Sequence, residues 1–358
     1  MRFQNPARGR GRAVPRPTPA WLAVLASLPA LAQTGPATAP ADAATTPTGM
    51  TPPARQSVLI TGNPLRRDDP QQPASVLSGD ALSLRRAASL GETLDGLPGV
   101  GSTAIGPSAG RPVIRGLDGD RIRILDNGGA SVDASSLSFD HASAINPLVV
   151  ERLEVLRGPA ALLYGGNATG GVVNAIDNRI PRSPVQGLSG RAEASLGGAD
   201  AHRRGSLLLE GGGAGWAWHA DAYGRRSGEL RVPRFVPVGD EGARAPTERV
   251  ADSASEARGG AVGAAWHGPR GFVGLSVDRF ENDYGIVVEP GVSIRMRRSR
   301  AAAEAQADLG AAGRLEAKAS HTRYRHEEVE GSGAVGTTFA SRGQDARLEW
   351  QHPAWGPL

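Results

Sequence analysis

The sequence contains no cysteine, which excludes disulfide bonds and thiolate metal sites. Beyond residue 32 it has no run of about 18 apolar residues, so no transmembrane helix is predicted. It also lacks the G-x-S-x-G, H-E-x-x-H and P-loop motifs, and the glycine-rich stretch YGGNATGG has no Lys-Ser/Thr pair to bind phosphate. These absences argue against an exported enzyme, and no enzymatic activity is predicted.

A basic charge excess is also missing from most of the chain. Lys and Arg total 40 against 36 Asp and Glu, but five Arg lie in residues 1–32, which leaves 35 against 36 beyond them. The formal net charge therefore falls from +4 to about −1 when those residues are removed. Because nucleic-acid binding needs a basic face on the folded domain, no nucleic-acid partner is predicted.

The N-terminal 63 residues divide into three segments. Residues 1–32 are typical of a signal peptide: arginines precede a short apolar segment, WLAVLASLPALA, that ends in a small-x-small cleavage motif. Residues 33–56 are rich in Pro, Ala and Thr and are predicted to form an extended linker. Residues 57–63, SVLITGN, are either the first strand of the next domain or a strand that a partner can pair with.

Residues 64–185 have the pattern of a mixed α/β domain. The stretch SLGETLDGLPGV predicts a short helix capped by Ser89 and ended by Pro98–Gly99. Asp126-Asn127-Gly128 predicts a tight hairpin turn after a strand. Further strands are predicted within LVVERLEVLRGP and GGVVNAI, with a short helix over AALLYG between them.

From about residue 187 the chain consists of segments that alternate in polarity. Glycine-rich tight turns follow the second, fourth and sixth segments, whereas other separators are longer and include a polar loop at 226–256. Short turns on one side and long loops on the other are typical of a transmembrane β-barrel, although a soluble β-sandwich also alternates. The eight predicted strands are 189–197, 203–210, 216–225, 257–266, 272–281, 294–309, 314–328 and 337–350.

The blocks IRG, RI-IL-NG, ERLEVLRGP, LYG and GGVVN occur in the order and spacing of a known family. In these blocks the chain resembles the plug domain of TonB-dependent outer-membrane receptors, and the segments from 187 resemble the start of that family's barrel. The resemblance implies an α+β plug domain followed by an antiparallel transmembrane β-barrel of 22 strands. It also implies energised uptake of a scarce nutrient across the outer membrane of a Gram-negative cell.

The resemblance further implies an inner-membrane partner, TonB with its energising complex, that pairs with a short N-terminal strand. This TonB-box segment would comprise Ser57, Val58, Leu59, Ile60, Thr61 and Gly62. The resemblance also implies that Arg115, Glu154 and Arg157 lie between plug and barrel wall as interlocking charges; the alternative is that they are ordinary surface charges.

The stretches SFDHASAINPLVVERLEVLRGPAALLYGG and NAIDNRIP resemble the zinc-receptor branch of this family more narrowly. The resemblance implies that Asp140 and His141 are zinc ligands in the apical loop of the plug, and carboxylate and imidazole groups do bind Zn²⁺. In the seventh segment the polar side chains share one face, so His326 and Glu328 are predicted to point inward near its outer end and to complete the site.

Zinc would be transported cargo, and no prosthetic group is predicted. Three alternatives are a receptor for an iron-siderophore, haem or another metal complex, a periplasmic binding module, and a non-functional truncated receptor. Eight segments are fewer than 22 strands, and strand edges left open in lipid would have unsatisfied amides. We therefore interpret residues 187–358 as the N-terminal part of a barrel, from a longer reading frame or a truncated gene.

Overall fold

The computed structural model of the chain describes residues 74–103, 105–239, 242–243 and 245–353. The predicted signal peptide, linker and TonB-box segment, residues 1–63, lie outside these ranges. Within them, no helix combines the length and the apolar composition needed to cross a membrane.

Residues 74–176 form a small α+β domain, hereafter the plug. Its described elements are β1 (Ala74–Ser78), α1 (Gly79–Arg85), α2 (Leu90–Leu94), β2 (Val100–Ser102), β3 (Pro112–Ile114), β4 (Ile122–Asp126), β5 (Gly129–Ala130), β6 (Arg152–Leu156) and β7 (Gly171–Ile176). Short 3₁₀ turns lie at Gly119–Arg121, Pro147–Val149 and Pro159–Tyr164.

The plug is built around a five-stranded mixed sheet with the strand order β1-β6-β7-β4-β5. β4 runs parallel to β7, and the remaining neighbours are antiparallel. All six residues of β7 are buried, and apart from Asn174, which donates a hydrogen bond to Glu154, they carry no polar side chain. The helices cover one face of this sheet, where Leu82, Leu90, Leu153 and Val173 are fully buried.

Local sequence signals in the plug are confirmed except at one helix end. Ser89 caps α2 by accepting a hydrogen bond from the Glu92 amide (3.3 Å), but the helix ends at Leu94, so the predicted end at Pro98–Gly99 was wrong. The chain leaves the helix early through Gly96, whose φ of 76° is left-handed. The predicted short helix over AALLYG is present as a 3₁₀ helix, Pro159–Tyr164, with Pro159 at its start.

The second part of the structure is a large antiparallel sheet. Its connections contain four short strands and a 3₁₀ turn at Gly310–Ala312. The strands are β8 (Gly187–Gly197), β9 (His202–Gly213), β10 (Trp216–Ser227), β11 (Leu230–Phe235), β12 (Val238–Gly239), β13 (Gly242–Ala243), β14 (Thr247–Val250), β15 (Ser255–Gly268), β16 (Gly271–Gly285), β17 (Ser293–Asp308), β18 (Arg314–Val329) and β19 (Val335–Gln351).

Eight of these strands form one sheet in the order β8-β9-β10-β15-β16-β17-β18-β19. Each pairs with its neighbour in an antiparallel ladder, and all eight strands predicted from the alternating segments are confirmed. The predicted polar loop at 226–256 is not irregular throughout, because β11 pairs with β14 and β12 with β13.

The two ends of the large sheet differ. At one end, hereafter the turn end, residues 214–215, 269–270 and 309–313 make tight reversals. At the other, hereafter the loop end, lies the long β10–β15 connection that contains β11–β14. The glycine-rich sequences at the turn end fit the reversals, since Gly215 has a φ of 85°.

Side chains of the large sheet alternate between an inner face against the plug and an exposed outer face. In β16, for example, buried and more exposed positions alternate along the whole strand. Inner-face aromatic residues of the sheet pack against small residues of the plug: Tyr223, Phe280 and Tyr324 share an apolar cluster with Ala142 and Ala144. The plug therefore meets the sheet through a packed interface.

Candidate metal site between plug and sheet

The loop between β5 and β6 carries the predicted Asp–His pair, and hydrogen bonds on both sides fix its shape. Asp133 accepts a hydrogen bond from the backbone amide of Ala144 (3.0 Å). The Tyr284 hydroxyl of β16 accepts one from the amide of Ala142, next to the histidine (2.8 Å). These contacts hold the His141 side chain against the inner face of the large sheet.

His141 is buried, and both of its ring nitrogens face oxygen atoms. Nδ1 lies 3.2 Å from the carbonyl oxygen of Ala134, so its N–H can donate there. Nε2 then presents its lone pair to the other side, where Glu328 Oε1 lies at 3.2 Å and Asp140 Oδ2 at 3.9 Å. A backbone carbonyl that orients a histidine in this way is typical of metal ligands.

His326 of β18 reaches the same point from the sheet and is fully buried. Its ring centroid lies 4.3 Å from that of His141. Nδ1 is 3.0 Å from the Tyr324 hydroxyl, whereas Nε2 is buried and has no hydrogen-bond partner among the described residues. A buried polar atom without a hydrogen-bond partner reduces the folding free energy by about 1–3 kcal/mol, so a ligand bound at this nitrogen would stabilise the structure.

The ligand atoms of His141, His326 and Glu328 lie within 4.8 Å of one another. Glu328 Oε1 is 3.9 Å from His326 Nε2. Tetrahedral Zn²⁺ with bonds of about 2.0–2.1 Å separates its ligands by about 3.3 Å. Two imidazoles and one carboxylate therefore lie near the spacing that zinc ligands have, and Asp140 Oδ2 lies 3.9 Å from His141 Nε2.

The surroundings of this cluster are apolar on one side and open on the other. The Phe339 ring of β19 packs on both imidazoles, with centroids 5.4 Å from His141 and 5.2 Å from His326. The Glu328 side chain is 26% exposed, so an ion can reach the cluster from the loop end. Phe339 was not predicted, because it lies opposite His326 only through the β18–β19 register.

Two of the three predicted plug–barrel contact residues have described side-chain partners within the plug. Glu154 pairs with Arg152 (3.1 Å). Arg157 donates a hydrogen bond to Ser75 of β1. Arg115 is exposed and has a left-handed φ of 52°. Their contact with the wall of a complete barrel stays a prediction.

Besides the His141–Glu328 contact, further ion pairs between plug and sheet are formed by residues that the sequence did not single out for this role. On the plug side and its connection to β8 these are Arg86, Asp126, Arg179 and Arg182. Arg179 pairs with Asp221 of β10 (3.0 Å) and with Asp278 of β16 (3.3 Å). Burial would lower the pKa of Arg179, but the neighbouring carboxylates of Asp177, Asp278 and Asp221 together raise it above its ordinary value.

Asp126 and two arginines of β17 form another group of ion pairs between plug and sheet. It accepts hydrogen bonds from Arg298 (2.9 Å) and Arg300 (3.1 Å) of β17. Burial alone would raise the pKa of Asp126, but Arg300 and Arg298 outweigh burial and lower it to about 2. The carboxylate is therefore ionised over the whole physiological range and ties β4 to the large sheet.

Comparison with known proteins identifies the N-terminal domain. Residues 66–172 match the sequence profile of the family described as TonB-dependent Receptor Plug Domain. A hemin receptor of Yersinia pestis is 29% identical over 170 residues, covering 46% of this chain and 25% of the receptor. The ferric enterobactin receptor PirA of Pseudomonas aeruginosa is 34% identical over 137 residues, covering 30% of this chain and 18% of the receptor.

Solved structures extend the likeness to the large sheet. The copper transporter OprC matches with a TM-score of 0.59 at 19% identity, over 77% of this chain and 42% of that one. The siderophore receptor PirA from Pseudomonas aeruginosa matches with a TM-score of 0.53 at 22% identity, over 79% and 44% of the two chains. At these identities the likeness concerns the fold.

The chain thus spans a quarter or less of the curated relatives named here and less than half of the solved structures. These relatives are receptors and transporters and not enzymes, as the sequence predicted. We conclude that this chain contains a TonB-dependent receptor plug domain, followed by eight antiparallel strands with the fold of these outer-membrane receptors.

Proposed function

We propose that this chain is the plug and the first strands of an outer-membrane TonB-dependent transporter that takes up zinc or a zinc complex. One observation carries the cargo assignment: His141 of the plug and His326 and Glu328 of the sheet converge within 4.8 Å. The buried Nε2 of His326, which has no hydrogen-bond partner among the described residues, supports a bound cation at this point. Asp140 is proposed as the fourth ligand.

A site divided between plug and sheet suits a transporter. The ligands from the plug and those from the sheet bind the ion together only while the plug apex stays against the sheet. Displacing the plug would separate them, and the affinity would fall because fewer ligands remain. We propose that TonB, pairing with residues 57–62, supplies the pull that produces this displacement.

A haem or siderophore complex is the second candidate, because the relatives include a hemin receptor and a ferric enterobactin receptor. The site favours a bare ion. The His141 and His326 ring centroids lie 4.3 Å apart in a buried edge-to-face contact, which leaves no room for a porphyrin between them. Copper could use the same imidazole and carboxylate ligands, so competition between metals belongs in the test.

The test replaces both plug ligands in the full-length receptor, Asp140→Ala with His141→Ala. We expect zinc affinity to fall by on the order of a hundredfold, while the amount of receptor in the outer membrane stays unchanged. Zinc binding is measured by calorimetry on purified protein, and uptake by growth under zinc limitation. Addition of Cu²⁺ as competitor measures the preference between the two metals.

His202→Ala is the matched control, since His202 pairs with Asp200 and Ser195 outside this cluster. It should leave zinc binding unchanged. Wild-type zinc affinity and zinc-limited growth in the double variant, at normal surface levels, would refute the metal assignment. Retained uptake of a haem or siderophore by the double variant, with unchanged zinc growth, would favour the second candidate.

A further inference from the structure

The two imidazoles of the candidate metal site pack against a third ring. His141, His326 and Phe339 meet pairwise edge to face, with ring centroids 4.3, 5.4 and 5.2 Å apart and interplanar angles of 72°, 66° and 65°. Edge-to-face contact at such distances is a preferred arrangement of aromatic pairs. Phe339 therefore touches both nitrogen ligands of the site, one from the plug and one from the sheet.

The strand register places apolar side chains on both sides of His326. Its direct partners on the inner face are Met296 of β17 and Phe339 of β19. Met296 is fully buried, as is His326 itself. Residues directly opposite each other in antiparallel strands have Cβ atoms about 4.5–5.5 Å apart, so both side chains flank the imidazole closely. Neither position offers an oxygen or nitrogen ligand.

The plug adds a similarly small number of ligands. His141 is buried, and its Nδ1 faces the Ala134 carbonyl oxygen, which leaves Nε2 to bind an ion. Asp140 Oδ2 lies 3.9 Å from this nitrogen. Together with His326 and Glu328 the site offers four ligand groups. An ion that needs six ligands would have to find the others beside the imidazoles, where the neighbouring side chains are apolar.

The number of available ligands matters for the choice of metal. For nitrogen and oxygen ligands, the affinity of divalent metals rises from Mn²⁺ through Ni²⁺ to Cu²⁺ and falls again at Zn²⁺, so affinity alone does not favour zinc over nickel. Zn²⁺ has no geometric preference from its d electrons and accepts four ligands in a tetrahedron. Ni²⁺ prefers tetragonal or octahedral surroundings, which need ligands at positions that a tetrahedral site lacks.

We propose that Phe339 is a specificity-determining residue of this site: together with Met296 it excludes additional ligands beside the imidazoles and so selects zinc over nickel. The contacts of its ring with both imidazoles and its register opposite His326 carry the inference. The inference rests on the proposed function, because it concerns the selectivity of the same metal site.

The first measurement uses the full-length receptor, purified in detergent, with Co²⁺ as a spectroscopic substitute for zinc. Four-coordinate Co²⁺ absorbs visible light strongly and six-coordinate Co²⁺ absorbs it weakly, so the spectrum reports the number of ligands. We expect the wild type to give the strong spectrum. Calorimetry should show that the wild type binds Zn²⁺ more tightly than Ni²⁺ by roughly tenfold or more.

Phe339→Ala replaces the ring by space beside the imidazoles, and water enters such space when about 30 Å³ per molecule and a polar partner are available. The bound metal would be that partner. Co²⁺ should then give the weak spectrum, and the ratio of zinc affinity to nickel affinity should fall by on the order of tenfold. Phe339→Leu refills most of the space with apolar atoms and should keep the wild-type spectrum and ratio.

Phe272→Ala is the matched control, because Phe272 also packs its ring against a histidine, His267, with centroids 5.5 Å apart. This pair lies beside the tight reversal at residues 269–270, at the turn end of the sheet. The control should keep the strong Co²⁺ spectrum and the wild-type affinity ratio. An equal fall of the ratio in both alanine variants would indicate a general loss of packing and would overturn the proposal.

Two further results would overturn this inference alone. One is a weak, six-coordinate Co²⁺ spectrum in the wild type, which decides the question even if no variant assembles. The other is a Phe339→Ala variant that binds both metals more weakly by the same factor, since a merely structural ring leaves the affinity ratio and the spectrum unchanged. In both cases zinc still binds. A wild type that binds neither Zn²⁺ nor Co²⁺ would instead refute the proposed function, and this inference with it.

Discussion

At the interface between plug and sheet, Gly263 occupies a position where no larger side chain fits. Gly263 lies on the inner face of β15, where the chain that leads from the plug to β8 crosses it. A Cβ atom at this position would stand 1.8 Å from the carbonyl oxygen of Arg179. Glycine is therefore required here by the close approach of two backbones and not by its own backbone conformation.

Gly263→Ala should weaken the attachment of the plug by about 1–3 kcal/mol, because the connection or β15 must shift to relieve the overlap. Such a change raises the population of the opened plug roughly fivefold or more. The measurement is the rate at which a protease cleaves the plug in the folded protein, at a protease concentration low enough that the plug opens and closes many times before it is cleaved, so that the rate follows the opened population.

Gly213→Ala in β9 is the control, since nothing lies within 4 Å of the Cβ position there. It should be cleaved at the wild-type rate. Equal rates for Gly263→Ala and the wild type would mean that the interface adapts at no cost, contrary to the tight approach described above.

At the scale of elements, β4 and β17 are joined by buried charges. Asp126 of β4 pairs with Arg298 and Arg300 of β17, and its pKa is lowered to about 2. A carboxyl group whose pKa is lowered in the folded state stabilises that state above its unfolded pKa, near 3.8. This contribution is lost as the pH falls from there through about 2.

Asp126→Asn should release the plug more easily at neutral pH, by about 3–5 kcal/mol, because two buried arginines lose a partner. It should also flatten the acid dependence of plug release between about pH 4 and pH 2. Protease sensitivity of the plug as a function of pH measures both effects. Asp120→Asn, at an exposed plug position, should keep the wild-type profile.

An Asp126→Asn profile identical to that of the wild type would show that the pair with β17 does not hold the plug. The pH window matters for this comparison. The contribution of Asp126 to the attachment should be constant above about pH 4, so a difference between the two proteins that is confined to pH values above 6 would also contradict the assignment to Asp126.

The sequence patterns predicted secondary-structure elements better than any other feature of the structure. All eight strands of the large sheet follow from alternation in the sequence. In the strands that face the plug, such as β16, one face is buried and the other is exposed. The Asn127–Gly128 turn follows from the left-handed φ values that it needs, 55° and 87°. The end of α2 was not predicted correctly. The sequence contains two helix-ending signals, Gly96 and Pro98–Gly99, and the helix ends before the first of them.

At the scale of the whole molecule, the proposed transport cycle needs a link from the inner membrane to the plug. Deleting residues 57–62 should abolish energised zinc uptake while zinc binding to the purified receptor stays at the wild-type level. The reason is that zinc binding depends on the ligands contributed by plug and sheet, whereas zinc release depends on the force that TonB applies to the plug. Uptake of radioactive zinc by cells and calorimetry on the purified variant measure the two separately.

A deletion of residues 48–53 within the predicted linker shortens the chain by the same length and should preserve uptake. If removing 57–62 also abolishes zinc binding, the segment is a structural strand of the plug. If uptake persists at normal levels, the segment is not where the energising partner pairs.

The sequence by itself determined the class of the molecule. Three features carried this prediction: the blocks from IRG to GGVVN, the period-2 alternation and the missing cysteines. Each can be read directly from the sequence without knowledge of the tertiary structure. They predicted an α+β plug followed by antiparallel strands. The polar face of the seventh segment made His326 and Glu328 ligand candidates, whereas Asp140 and His141 were implied by the resemblance to the zinc-receptor branch. Inward orientation of His326 followed from alternation alone.

Only the tertiary structure decided which of these residues meet. Residues 141 and 326 are far apart in the chain, and their ring contact at 4.3 Å depends on the height at which the plug loop rests against β18. The same holds for Phe339 and for the Asp126 pairs. Such contacts depend on the register of the strands and on the packing of the plug against the sheet. Both are determined by many weak interactions between distant parts of the chain, so no short stretch of sequence predicts them.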